Sequence, residues 1–149
     1  MTSAADLMTE NPATLPLEAR VKDAVSMLQT MDIRHIPVVD EDDTLVGIVS
    51  DRDLRALEIP SVIGEEYLGN VRAALEAPLS SIMSGDVIAV DTEASAAEIV
   101  ELMLENKIGA VPVLDADGVL VGIVSYVDLL RALPFEKDER KSRKSRRAS

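Results

Sequence analysis

Two seven-residue stretches carry the side chains best suited to chemistry: Gly47-Ile-Val-Ser-Asp-Arg-Asp53 and Gly122-Ile-Val-Ser-Tyr-Val-Asp128. Each sets a serine at the end of an apolar, β-type run and a carboxylate three positions later, one turn into a helix. Free N–H groups at a helix start and the positive end of the helix dipole favour phosphate, and a serine hydroxyl can donate to it. A carboxylate at that position can accept from both hydroxyls of a ribose. Ser50 with Asp53, and Ser125 with Asp128, therefore suit a ribosyl phosphate, while Ile48 and Ile123, depending on their facing, could sandwich a flat base. A plainer reading stands beside this one, because Ser-x-x-Asp is nearly a capping box and such a serine commonly just caps a helix. The two readings are compatible.

The elements that must position these residues are written twice. Adding 75 to a residue number aligns Met8–Leu57 with Met83–Ala132 without a gap, matching Met8/Met83, Val25/Val100, Ile33/Ile108, Pro37/Pro112, Asp40/Asp115 and the whole run Val46–Ser50/Val121–Ser125. Each copy opens with a short extended piece, 13–15 or 87–90. A helix follows, with apolar positions at helical spacing: Val21, Ala24, Val25, Leu28 and Met31, or Ala96, Ile99, Val100 and Met103. Two short strands come next, 36–39 with 45–49 and 111–114 with 120–124, joined by the acidic turn 40–44 and by Asp115-Ala-Asp-Gly118, where Asp-Gly is a hairpin signal. Closing helices are expected over 51–57 and 126–133. The unit is β-α-β-β-α. A unit of about fifty residues buries too little surface to stand comfortably alone, so the two should pack face to face with pseudo-twofold symmetry, and clefts along that axis come in pairs. Residues 58–81, with Pro60, Gly64, Gly69 and Pro78, read as a connector containing an extra helix over 65–76.

Composition narrows the function classes. Of 149 residues 47% are hydrophobic, but one Phe, two Tyr and no Trp leave an aliphatic α/β core. The absence of cysteine removes thiolate zinc sites, disulfides and cysteine nucleophiles. The first residues carry no basic-then-apolar pattern of a signal peptide, and no stretch reaches the ~20 apolar residues of a membrane helix. A cytoplasmic protein without a membrane span is expected. The net charge of −12 is uneven: residues 136–149 hold seven Lys/Arg against three Asp/Glu, leaving eight against 24 elsewhere, or −16. A body this acidic repels nucleic acid and anionic lipid, so only the tail could bind them.

The repeated unit resembles the CBS domain family, and the pair resembles a Bateman module. The resemblance rests on Ile33-Arg-His-Ile-Pro-Val-Val-Asp40 with Gly47–Asp53, and Ile108-Gly-Ala-Val-Pro-Val-Leu-Asp115 with Gly122–Asp128, and covers roughly residues 4–133. It implies an α/β (α+β) fold of two tandem repeats, 4–57 and 82–133, joined by the connector 58–81 and followed by a basic disordered tail, 134–149. It also implies a module that senses AMP, ADP, ATP or sometimes S-adenosylmethionine, pairs with a second copy into a homodimer, and relays occupancy to a partner enzyme, channel or transporter. Carried over position by position, Asp53 and Asp128 hold ribose hydroxyls and Ser50 and Ser125 lie near phosphate. Ala13, Arg34 and His35 border the Asp128 site, while Ile88, Gly109 and Ala110 border the Asp53 site.

The copies differ in charge. Arg34, Arg52 and Arg55 stand where the second repeat has Gly109, Val127 and Leu130, so phosphate finds its bidentate partners unevenly. Tyr126 in place of Asp51 could narrow the second site. His35, the only histidine, has no partners for a nucleophilic triad and reads as a phosphate contact or a β-edge side chain. The turn 40–43 lacks the ligand spacing of a calcium loop and reads as a solvated hairpin tip. Met27, Met31 and Met103 read as core filling. No catalytic residue, metal or bound cofactor is expected; the rival to a nucleotide sensor is a ligand-free interaction module in which Ser-x-x-Asp only caps helices.

Overall fold

The computed structural model describes residues 2–55 and 65–133, so the tail and the expected helix end at 56–57 lie outside the described residues. Helices are α1 (Ala4–Leu7), α2 (Val21–Met31), α3 (Asp51–Arg55), α4 (Glu65–Glu76), α5 (Ala96–Asn106) and α6 (Tyr126–Ala132), with a 3-10 turn at Leu79–Ser81. Strands are β1 (Thr9–Glu10), β2 (Leu15–Pro16), β3 (His35–Val39), β4 (Leu45–Ser50), β5 (Val90–Asp91), β6 (Ala110–Leu114) and β7 (Leu120–Ser125). They form two sheets, β2-β3-β4 and β1-β7-β6-β5. The mixed α/β architecture of two β-α-β-β-α repeats is thus present, with the opening strands cut to two residues each and shifted toward Pro16 and Asp91.

Within each repeat a hairpin makes the sheet's centre. Ile36 pairs with Val49 and Val111 with Val124, and these four side chains are fully buried. The acidic turns are held by their first residue: Asp40 Oδ1 accepts from the Asp42 and Thr44 amides, and Asp115 Oδ1 from those of Asp117 and Val119. Asp43 (φ 61°) and Gly118 (φ 82°) occupy the same left-handed position, which aspartate tolerates and glycine adopts freely. The two turns touch, Thr44 bridging to Val119 across the repeats.

The sequence repeat and the packing unit do not coincide. β1, which precedes the first repeat's helix, pairs with β7 of the second, Thr9 opposite Ile123. The equivalent Ser84 bridges to Ile48 of the first, with reciprocal bonds of 3.1 and 3.0 Å. The first core cluster, under the sheet of the first repeat, consequently joins Leu79 to Leu15, Ala19, Ala24, Ile36, Val38 and Val49. The second, under the sheet of the second repeat, joins Ala4 and Leu7 to Val90, Ala94, Ile99, Met103, Val111, Val113 and Val124. Each unit lends its leading segment to the other.

Helix faces follow the expected periodicity with exceptions at their ends. Val21, Ala24, Ile99 and Met103 are buried, and Met27 packs against the first cluster. Met31 is 51% exposed, which corrects its reading as core: it falls in the last turn of α2, lining a surface groove rather than facing the sheet. Val100 and Leu104 on α5 are exposed as well. Among the described residues no helix is long and apolar enough to cross a membrane.

Candidate functional site

Both Ser-x-x-Asp turns form reciprocal capping boxes. Asp53 Oδ2 accepts from the Ser50 amide at 2.8 Å while Ser50 Oγ accepts from the Asp53 amide at 3.2 Å. In the second copy, Asp128 Oδ2 accepts from the Ser125 amide at 2.8 Å and from Ser125 Oγ at 3.1 Å. Thr9 Oγ1 then occupies the other oxygen, donating to Asp128 Oδ1 at 3.2 Å. Asp53 Oδ1 accepts no hydrogen bond among the described residues, although Ser84, the counterpart of Thr9, lies in the same cleft.

That cleft has a volume of about 410 Å³, within the range of small-molecule sites. From the first repeat it takes Arg34, His35, Ile48, Ser50, Asp51, Arg52, Asp53 and Arg55; across the axis it takes Ser84, Asn106, Lys107, Ile108, Gly109, Ala110 and Tyr126. A strand end, a left-handed helix end and a short helix converge here. Asp51 meets Arg55 at 3.2 Å and Arg34 at 3.7 Å, while Arg52 and Lys107 make no ion pair among the described residues. His35 abuts the backbone of Gly109, where a Cβ would come within 3.3 Å of the ring. Burial holds the His35 imidazole below its ordinary pKa, with Asp51 and Asp53 opposing that effect and Arg34 and Arg52 adding to it. A neutral ring facing the cleft at pH 7 can donate or accept one hydrogen bond.

The structure brings Ser50, Arg52, Asp53, Ile48, Arg34, His35, Gly109 and Ala110 into one cleft. Arg34 and His35 line the Asp53 cleft, because β3 and β4 are hairpin partners and His35 sits directly opposite Ser50. Tyr126, expected to narrow the second site, also faces this cleft, against Gly109. Ile88 does not line it; its half-buried side chain packs on the second core cluster. Ala13 is half-buried just before β2, and Ile123 lies on β7 opposite Thr9, next to Ser125 and Asp128. Asn106, Lys107 and Ser84 escaped the sequence reading. The left-handed corner after α5 delivers the first two, and only the Asp32/Lys107 mismatch in the repeat hinted at it. No group of three or more His, Cys, Asp or Glu that could hold a metal occurs among the described residues.

Comparison with known proteins decides the family. The CBS domain model matches twice, over residues 4–59 and 79–134. The chain belongs to the CBS domain family. A CBS domain-containing protein of Dictyostelium discoideum is 32% identical over 127 residues, covering 85% of this chain and 88% of that one. Among solved structures, CBSX2 in complex with AMP superposes with a TM-score of 0.74 at 30% identity, covering 89% of this chain and 96% of the other. The CBS domain pair of protein MJ0100, in complex with 5′-methylthioadenosine and S-adenosyl-L-methionine, gives 0.72 at 26% identity, with 88% and 94% covered. Longer relatives match in part: the chain spans 24% of an inosine-5′-monophosphate dehydrogenase from Methanocaldococcus jannaschii. CBS pairs of this kind thus hold adenosine-based ligands in solved structures.

Proposed function

We propose that this chain is a regulatory module that holds AMP, ADP or ATP between its two CBS repeats, with Asp53 and Asp128 turned to ribose and the serines toward phosphate. The observation that carries the reading is the convergence in one cleft of the Ser50/Asp53 turn with Arg34, Arg52, Arg55 and His35 from one repeat and Lys107 from the other. Charge-assisted and bidentate contacts from such a set are the strong ones for a phosphate. The CBSX2 complex with AMP supports a nucleotide ligand, and the MJ0100 complex keeps S-adenosylmethionine as a second ligand to test. The module is non-enzymatic, cytoplasmic and paired with a second copy through the apolar residues left exposed on α5 and α6, namely Val100, Leu104, Val127 and Leu130. Occupancy is relayed to a partner enzyme or transporter. Isothermal titration with AMP, ADP, ATP and S-adenosylmethionine tests the ligand, and absence of binding to all four at millimolar concentration overturns it in favour of the scaffold reading. Sedimentation velocity at several protein concentrations tests the dimer.

A further inference from the structure

We infer that phosphate enters only one of the two pseudo-equivalent positions, the Asp53 cleft, and that Lys107 is the residue of the second repeat that fixes this choice; the inference rests on the nucleotide reading above. The repeat offset of 75 gives every cleft residue a counterpart, so the two positions can be compared side chain by side chain. In the Asp53 cleft four cations, Arg34, Arg52, Arg55 and Lys107, face two carboxylates, Asp51 and Asp53. The same operation about Asp128 replaces Arg52 with Val127, Arg55 with Leu130 and Lys107 with Asp32. It leaves Arg34 as the single cation among Asp32, Asp51 and Asp128. A phosphate dianion is attracted to the first set and repelled by the second, and the effect is strong where the cleft walls limit water.

Hydrogen bonding separates the two positions in the same direction. Both oxygens of Asp128 are engaged, by Ser125 and by Thr9, whereas Oδ1 of Asp53 accepts no hydrogen bond among the described residues and faces a ligand in this reading. Lys107 and Asp32 occupy one structural corner, the left-handed residue that ends α5 or α2, at φ 55° and 52°. Both side chains are exposed, so exchanging them leaves the core untouched. Each backbone already accommodates a side chain at that φ. Lys107 makes no ion pair among the described residues and adds a charge that the first repeat cannot supply for itself.

Titration of the full chain with AMP and with adenosine, which differ only in the phosphate, tests the assignment. The wild type is expected to take one AMP per chain. Lys107→Asp should weaken AMP about tenfold, the worth of one charge-assisted contact, while adenosine affinity changes less than about twofold. Asp32→Lys should introduce a second, weaker AMP equivalent. Two AMP per chain with matched affinities in the wild type, or AMP affinity unmoved by Lys107→Asp, overturns the inference and leaves the nucleotide reading standing. Failure of adenosine, AMP, ADP, ATP and S-adenosylmethionine alike to bind any variant overturns the two together. Circular dichroism of each variant checks that the fold is retained.

Discussion

Asp53 serves the helix start and is proposed to serve a ribose as well, and substitution can separate these roles. Asp53→Ala removes the acceptor for the Ser50 amide, which should cost about 1 kcal/mol of stability in urea denaturation, the usual scale of a lost cap. Asp128→Ala should cost at least as much, since the Thr9 hydroxyl loses its acceptor too. With phosphate confined to the Asp53 cleft, only Asp53→Ala also abolishes AMP binding; equal stability losses with AMP affinity intact in both variants would reduce the motif to a cap. His35 offers a second test at this scale. Its folded pKa lies below the ordinary value of about 6.5, so the unfolded chain binds the proton more readily. Its contribution is neutral well above that value, and stability falls as the pH drops through it toward the lowered folded pKa. Denaturation midpoints followed between about pH 7.5 and 5.5, above the range where free carboxylates titrate, should decline in the wild type and flatten in His35→Gln. An identical slope in both would place the effect elsewhere.

At the scale of elements, the segments that cross between units are the sensitive ones. Leu79 is fully buried in the first core cluster although its residue number places it beside the second repeat. Leu79→Ala should therefore destabilise by about 2–5 kcal/mol, as truncation of a packed leucine does, and a loss under 1 kcal/mol would contradict the packing. Gly122 is buried under Met8, whose Cγ would lie 2.7 Å from an added Cβ and whose Cβ would lie 3.0 Å away. Gly122→Ala consequently forces strand β7 and the segment before β1 apart, an overpacking cost of about 1–3 kcal/mol measurable by thermal melting. These elements show how far the sequence was readable. Hairpins and helices followed from local alternation and helical spacing, and α4 has the limits expected from its sequence. The crossing of Met8–Glu10 and Leu79–Ser84 was not readable, because a two-residue strand or a single bridge carries no periodicity to detect. Met31 departs from the apolar stripe for a related reason: spacing identifies a helix face but not where the sheet beneath that face ends.

For the whole molecule, the repeat led to the expectation of paired clefts, while the composition of the Asp53 cleft depended on which residues the pseudo-twofold axis gathers. Arg34 and His35 are next to the Ser50 turn only because β3 and β4 pair, and Tyr126 reaches the same cleft from the opposite repeat. The same exchange bears on how the chain unfolds. If each repeat held its own leading segment, the two would be joined only at their faces and could melt separately. Here the amides of Ala4 and Ala5 donate to Ala94 and Thr92 of the second repeat, and the amide of Leu79 donates to Ala19 of the first. Each core cluster thus contains residues from both halves of the chain, and opening one unit removes buried surface from the other. Equilibrium unfolding in urea should accordingly be a single transition, coincident by far-ultraviolet dichroism and by hydrogen exchange of β3 and β6 amides. Leu79→Ala should lower the protection of β6 as well as β3, although it touches only the first cluster. Two resolved transitions, or loss of protection confined to β3, would show that the exchanged segments do not couple the repeats.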